Sequence, residues 1–268
     1  MSVTAEALAV LEATSRTFYI PISRLPAGLQ EAVASAYLCM RAIDEIEDHP
    51  TLDGPAKAVL LQAVSRTLQA PFSCEDFAAI FAPYRSSIPE VTLRVGEWAL
   101  CAPEDIAPRI WDATAAMSDR MAAWSLGGFR VETEADLDRY TFGVAGAVGL
   151  LLSDLWQWFD TTRTNRQHAL GFGRGLQAVN ILRNHGEDLG RGVDFFPDGW
   201  DDDRMQAYAR RNLTLADAYL DALPPGPARE FCTIPLTLAH ATLDVMARGE
   251  AKLSRGDVLQ LIGQATSR

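Results

Sequence analysis

Apolar residues recur every three to four positions through nearly every long segment of the chain, and no segment alternates clearly enough for a β-strand. This period places apolar side chains on one face of an α-helix. Tyr19 to Pro26 is predicted to be a break, because Pro21 and Pro26 favour an extended turn. Helices are predicted over residues 4–17, 27–48, 55–69, 105–126, 134–160, 167–189, 201–222, 227–248 and 256–266, with shorter ones within 70–104. We therefore expect one all-α domain of about ten helices over residues 1–268.

Four carboxylates crowd the end of the second long helix, in the segment Arg41-Ala-Ile-Asp44-Glu-Ile-Glu-Asp48. Asp44 and Asp48 are four residues apart, so both carboxylates lie on one helix face about one turn apart. Like charges at this spacing repel each other by roughly 0.2–0.5 kcal/mol, and the cluster brings no structural gain unless a cation binds to it. The segment therefore predicts a cation site.

A second acidic turn, Asn184-His-Gly-Glu187-Asp188, follows about 140 residues later. Asn184 and Asp188 again share one helix face. Mg²⁺ takes one or two carboxylates and fills its octahedron with water and phosphate oxygens. Two such faces turned toward each other are expected to hold Mg²⁺ and a diphosphate group.

Small residues crowd the middle of the predicted helix over 134–160, with Gly143, Gly146 and Gly149 close together. A glycine inside a helix costs about 1 kcal/mol relative to alanine, so something must lie very close to this backbone. Two interpretations are open: a neighbouring helix, or a long ligand lying along the helix. The helix itself is predicted to begin with a capping box formed by Thr133 and Asp136.

The chain carries 24 lysine and arginine residues against 35 aspartate and glutamate residues, a formal net charge of −11. A surface for nucleic acid or anionic membranes would need a basic stripe, so we expect no nucleic-acid partner. The longest apolar run, Val144 to Leu152, is too short for a membrane span, so no integral membrane segment is expected. The N-terminus lacks the basic start and apolar stretch of a signal peptide, which favours a cytoplasmic protein.

Cationic and aromatic side chains near the two acidic turns suit an allylic diphosphate. Such a substrate ionises when its diphosphate charge is neutralised, and the resulting cation must meet a π-nucleophile in a dry pocket. Arg41 precedes the first turn and Arg183 precedes the second. The other candidates are Arg16 and Arg191 among the cations, and Phe18, Tyr37, Tyr140 and Phe142 among the aromatic side chains.

Four spaced segments resemble motifs of the squalene/phytoene synthase family, in the family's order. Ser15-Arg-Thr-Phe18 resembles its opening pattern, and Tyr37 to Asp48 resembles its first aspartate-rich motif in the squalene-synthase form. Asp138 to Gly149 resembles the family's tyrosine-containing Val-Ala-Gly-x-Val-Gly helix. Gln177 to Asp188 resembles the second aspartate-rich motif, and Gly192 to Pro197 resembles the loop after it.

The resemblance implies an all-α isoprenoid synthase fold with a central apolar cavity. It also implies a prenyltransferase that uses Mg²⁺ to transfer an allylic group from a prenyl diphosphate donor. The implied catalytic residues are Asp44, Asp48, Tyr140 and Asp188. The implied metal ligands are Asp44, Asp48, Asn180 and Asp188, with Asn184 as a weaker ligand or a hydrogen-bond donor. The residues implied to bind the substrate or its diphosphate are Ser15, Arg16, Phe18, Tyr37, Arg41, Gln177, Arg183 and Arg191.

Three positions depart from the family pattern. Asn184 stands where the family normally has aspartate, so the predicted metal site loses one negative charge. Val193 and Phe195 stand where the following loop commonly has an arginine or lysine and then a tyrosine. Head-to-head condensation binds two prenyl diphosphates side by side, and these losses favour the binding of fewer phosphates.

We therefore expect transfer of the prenyl group to a small-molecule acceptor without a diphosphate, an aromatic carbazole-type ring, in natural product biosynthesis. The first alternative is head-to-head condensation of two prenyl diphosphates to presqualene diphosphate, squalene or phytoene. The second alternative is a non-catalytic relative that binds a prenyl diphosphate or a partner protein.

Overall fold

The computed structural model describes residues 5–250 and 253–265, and it is helical with no β-strand over that part of the chain. This confirms the predicted all-α class. The chain divides into two compact units, Met1–Phe129 and Arg130–Arg268. The expectation of one domain over residues 1–268 stays a prediction, as does the expectation that the two acidic turns face each other.

The first unit contains eight α-helices among its described residues and a 3₁₀ turn at Ala82–Tyr84. The helices are α1 (Ala5–Thr14), α2 (Arg16–Ser23), α3 (Leu29–Glu47), α4 (Gly54–Leu68), α5 (Cys74–Phe81), α6 (Glu90–Leu93), α7 (Val95–Ala99) and α8 (Ala107–Gly127). The central helix is α3, because 14 of its 19 residues are buried and it packs against α4, α6, α7 and α8. The Ser35 hydroxyl donates to the Trp98 carbonyl at 2.7 Å and anchors α3 to α7.

The second unit contains six α-helices among its described residues and a π-helical turn at Phe142–Gly146. The helices are α9 (Glu134–Thr141), α10 (Ala147–Asp160), α11 (Arg166–Gly190), α12 (Asp202–Ala222), α13 (Pro227–Ala247) and α14 (Arg255–Ala265). The central helix of this unit is α11, which packs against α9, α10, α12 and α13. The predicted capping box at the start of α9 is confirmed, because Thr133 Oγ1 accepts from the Asp136 N–H and the Asp136 carboxylate accepts from the Thr133 N–H.

The predicted break at Tyr19 to Pro26 is wrong over its first half, because α2 continues to Ser23 with Pro21 inside it. The first helix ends early, at Thr14, and Ser15 adopts an extended backbone whose Oγ accepts from the Phe18 N–H at 3.3 Å. This cap starts a new helix and partly offsets the hydrogen bond that Pro21 cannot make. The predicted start at residue 4 lies outside the described residues.

The other long helices are confirmed, and their ends lie within two residues of the predicted bounds. The count of about ten is too low, because fourteen α-helical segments occur in the described ranges. The additional helices have three sources. A new helix starts after Ser15, short helices lie between α4 and α8, and a π-helical turn divides the predicted helix over 134–160.

Glycines bring the backbone of α11 into contact with α10 and with the π-helical turn before it. A Cβ atom added to Gly149 would lie 2.0 Å from the Ala169 carbonyl oxygen, and one added to Gly173 would lie 2.1 Å from the Ala145 carbonyl oxygen. Neither position accommodates a side chain, since its neighbour is backbone. A neighbouring helix, rather than a ligand, therefore explains the glycine at position 149.

Among the described residues, one helical stretch, Glu134–Asp160, is long and apolar enough to cross a membrane by length and composition. Its most apolar window has a mean hydropathy of 1.2 and is 44% buried within the structure. The contact of Gly149 with α11 is a feature of a helix packed inside a protein. The expectation of no integral membrane segment stays a prediction.

Candidate active site

The first unit brings the opening motif against the middle of α3. The rings of Phe18 and Tyr37 lie 5.6 Å apart, centroid to centroid, in a tilted arrangement. Burial raises the pKa of Tyr37, and a hydrogen bond with the Ser15 side chain opposes that rise. Ser15, Phe18 and Tyr37 were each predicted to bind substrate, and the structure places them together. Arg16 was also predicted to bind substrate, and its side chain lies outside the described part of the structure.

Arg41 lies one helical turn after Tyr37, and its guanidinium holds two carboxylates of the first acidic motif. Nη1 donates to Asp44 Oδ2 at 2.5 Å, and Nη2 donates to Glu45 Oε1. The Nε atom is buried and has no hydrogen-bond partner among the described residues. A buried N–H without a partner costs about 1–3 kcal/mol, so this donor fits an acceptor supplied by a ligand, such as a phosphate oxygen.

Asp44 and Asp48 keep the helical spacing, because the Asp48 N–H donates to the Asp44 carbonyl at 2.9 Å. Burial and then the Asp48 carboxylate raise the pKa of the Asp44 carboxyl, Arg41 opposes the rise, and the net result is a pKa of about 7. A divalent cation offsets the electrostatic cost of these two neighbouring carboxylates, because it favours the ionised form of both groups. The residues of the first motif therefore fit Mg²⁺, which needs few carboxylates when phosphate and water complete its shell.

We expect Mg²⁺ to bind less tightly as the pH falls through 7, because a proton competes for Asp44. The Mg²⁺-dependent rise in melting temperature, measured with inorganic pyrophosphate present, should be larger at pH 8 than at pH 6. The matched control is Asp44→Asn, which cannot titrate and should show a small rise at both pH values. An equal rise at both pH values in the unmodified protein would contradict the role of Asp44.

The second acidic motif lies near the C-terminal end of α11, and an arginine covers its amide groups. Arg183 donates from Nη2 to Asn180 Oδ1 at 2.5 Å and from Nε to Asn184 Oδ1 at 3.1 Å. The Asn184 amide in turn donates to Asn180 Oδ1 at 3.3 Å. Both amide oxygens that were predicted to ligate Mg²⁺ therefore face a guanidinium. Gln177, half-buried, lies one turn before Asn180.

Asp188 is buried at the end of the same helix and accepts a hydrogen bond from Arg191 Nη2 at 2.5 Å. The chain reverses here because Gly192 adopts a φ of 79°, which favours glycine. The N–H groups of Arg191 and Val193 donate to the Asp188 carbonyl at 2.9 and 3.0 Å. The loop after α11 thus places an arginine on the carboxylate of the motif.

The two motifs differ in their balance of charge. Between residues 41 and 48 one arginine faces four carboxylates, whereas between 183 and 191 two arginines match two carboxylates. Over the described residues, no group of three or more His, Cys, Asp or Glu side chains is placed to hold a metal ion. The excess negative charge of the first motif fits a divalent cation, whereas the donor set of the second motif does not.

Phe195, which replaces a tyrosine of the family pattern, packs on Tyr140. Their rings are stacked with centroids 4.4 Å apart, and both side chains are buried. The face of Tyr140 is therefore covered by an apolar ring. The next aromatic residue, Phe196, stacks on His185 at 3.7 Å, and His185 Nε2 lies 3.2 Å from Asp194 Oδ1. His185 is held at the surface by these contacts.

Arg174 was missed by the sequence analysis. Its Nη2 donates to the Asp138 carbonyl at 3.0 Å, and its Nη1 lies 3.4 Å from Asp138 Oδ1. The Tyr208 hydroxyl donates to the same carboxylate at 2.8 Å, and burial raises the pKa of Tyr208. This network joins α9, α11 and α12 two residues before Tyr140. The only signal in the sequence is that Arg174 lies one turn before Gln177.

The chain is similar to a known protein family and to several known proteins. Residues 11–200 match the model of the family described as Squalene/phytoene synthase. The chain is 29% identical to the squalene synthase of Schizosaccharomyces pombe, over 94% of this chain and 63% of that protein. It is 28% identical to the squalene synthase of Yarrowia lipolytica, over 96% of this chain and 66% of that protein. The chain thus spans somewhat less than two thirds of the length of these relatives.

Solved structures have the same fold. A ligand complex of TcSQS superposes with a TM-score of 0.79 at 22% identity, over 97% of this chain and 85% of that chain. A dehydrosqualene synthase in complex with a ligand superposes with a TM-score of 0.68 at 18% identity, over 98% and 95%. The resemblance seen in the motifs and the implied all-α fold are both confirmed, and the central apolar cavity stays a prediction. The chain belongs to the squalene/phytoene synthase family.

Proposed function

We propose that the chain is a Mg²⁺-dependent prenyltransferase that uses an allylic prenyl diphosphate as donor. The observation that carries this proposal is the arginine of the first motif. Arg41 is held by Asp44 and Glu45, and it retains a buried Nε–H without a partner among the described residues. Family membership supports the proposal, because members of the family are prenyltransferases.

The residues of the first unit account for donor binding and ionisation. Asp44 and Asp48 would hold Mg²⁺, which supplies neutralisation of the departing diphosphate. Arg41 Nε would donate to a phosphate oxygen and orient the leaving group. The rings of Phe18 and Tyr37 offer π faces that attract an allylic cation. Their partial burial keeps water from the cation.

Head-to-head condensation of two prenyl diphosphates is the first candidate reaction. The similar proteins named above are squalene synthases, and one similar structure is a dehydrosqualene synthase. These findings favour head-to-head condensation over the aromatic acceptor expected from the sequence.

Transfer to an aromatic acceptor without a diphosphate is the second candidate. The covered face of Tyr140 and the neutral amide of Asn184 favour it. Both features make the second unit less able to bind a second diphosphate group together with its Mg²⁺.

Product analysis separates the two candidates. The full chain is incubated with Mg²⁺ and farnesyl diphosphate, with and without NADPH, and separately with geranylgeranyl diphosphate. A C30 or C40 product supports head-to-head condensation. Pyrophosphate release that requires an added carbazole or indole supports the second candidate. The absence of release from any allylic donor from C5 to C20, with or without acceptor, would contradict the proposed function.

Arg41→Lys provides a matched variant for this assay, because it keeps the positive charge and removes the Nε–H. The lost charge-assisted hydrogen bond is worth roughly 1.5–3 kcal/mol, so kcat/KM should fall by about 10- to 100-fold. An unchanged kcat/KM would show that the Nε–H takes no part in donor binding.

A further inference from the structure

We propose that the second motif of this chain holds no metal ion of its own, so that Arg183, which the family resemblance already implies to bind diphosphate, and the amide of Asn184 contact phosphate oxygens without one. This inference rests on the proposed function, since the phosphate belongs to the diphosphate group of the prenyl donor or acceptor. It assigns to α11 the role of an anion site.

The placement of Arg183 is the first support. Its guanidinium lies within 3.1 Å of oxygen atoms on both Asn180 and Asn184. A divalent cation bound to those oxygens would lie next to a positive charge that no carboxylate at position 180 or 184 offsets, unlike the charge of Arg41, which has four carboxylates around it. An arginine that is already oriented by two amides offers its outer N–H groups to an anion at little entropic cost.

The pairing of Asp188 is the second support. Its carboxylate is buried and accepts from Arg191, whose side chain remains 44% exposed. Among the three predicted ligand positions of this motif, Asp188 is the only carboxylate, because positions 180 and 184 are amides. Arg183 and Arg191 then both border the same turn, and their charges favour phosphate.

Metal-free binding of inorganic pyrophosphate tests the anion site. The full chain is titrated with pyrophosphate in EDTA by calorimetry. Arg183→Gln should weaken binding by at least tenfold, and Arg183→Lys should weaken it less because the charge remains. An unchanged affinity in Arg183→Gln would overturn the proposal.

Counting bound Mn²⁺ by electron paramagnetic resonance, with pyrophosphate present, tests the absence of a metal. Asp188→Asn and Asn180→Ala should leave the number of bound Mn²⁺ ions unchanged, and two variants are used because Asp188 is buried. Asp44→Asn should lower the number and serves as the positive control. Asn184→Asp adds a carboxylate and should raise the number or tighten binding.

A lower Mn²⁺ count in both Asp188→Asn and Asn180→Ala, with circular dichroism unchanged, would overturn the proposal. This outcome is independent of turnover, so it leaves the proposed prenyl transfer standing. Conversely, an enzyme without turnover that shows the expected Mn²⁺ counts would refute the proposed function and retain the anion site.

Discussion

Asp44→Ala and Asp48→Ala should each abolish prenyl transfer while the helical fold remains intact. Each variant removes one of the two carboxylates that fit Mg²⁺ at the end of α3. A metal ion contributes several kcal/mol of charge stabilisation in the transition state, so we expect kcat to fall by about 10³-fold or more. Pyrophosphate release, measured at saturating donor and Mg²⁺, reports the loss.

The fold should survive these substitutions for a physical reason. Burial and the Asp48 carboxylate raise the pKa of Asp44 despite its contact with Arg41, so an ionised Asp44 opposes folding at neutral pH, and removing either residue lessens that cost. The melting temperature without Mg²⁺ should therefore not fall. Asp112→Ala is the matched control, because this carboxylate is 75% exposed and pairs with Arg109 on α8. Turnover near the unmodified rate in either Asp44→Ala or Asp48→Ala would exclude that residue from the mechanism.

Gly149→Ala and Gly173→Ala should each destabilise the second unit by about 3 kcal/mol or more. In both cases the added Cβ meets a backbone carbonyl oxygen of the neighbouring segment at 2.0–2.1 Å, and backbone cannot move aside as a flexible side chain would. For a chain of this size the midpoint of thermal unfolding should drop by roughly 6–12 °C. Thermal melts followed by circular dichroism measure this.

Gly186→Ala is the matched control for these substitutions. It lies in the same helix as Gly173, and a Cβ atom there would meet no atom within 4 Å. Alanine is favoured over glycine in a helix interior by about 1 kcal/mol, so this variant should be more stable than the unmodified protein. If Gly149→Ala and Gly186→Ala had the same melting temperature, close packing of α10 on α11 would not explain Gly149.

Local patterns predicted the helices because each helix is set by residues within four positions of one another. The prediction of a break at Tyr19 to Pro26 was wrong over its first half, because the two prolines were given more weight than the cap at Ser15. That cap is visible in the sequence as a serine three residues before Phe18, and the buried Ile22 shows what the added helix gains.

The candidate residues of the first motif could be named in advance, because helical spacing alone places Tyr37, Arg41 and Asp44 on one side of α3. The packing of Phe18 on Tyr37 could only be expected from the family resemblance. It depends on how α2 folds back against α3, and no periodicity encodes that.

The sequence by itself determined the all-α class, the bounds of most long helices and the two motif positions, because these follow from short-range spacing and from the family pattern. Only the tertiary structure showed that Arg174 binds Asp138, 36 residues earlier, and that Asn180 and Asp188 are each bound by an arginine. Side-chain partners depend on where helices and loops meet in space. The charge that a motif presents to a ligand is therefore decided by its neighbours and not by its spacing.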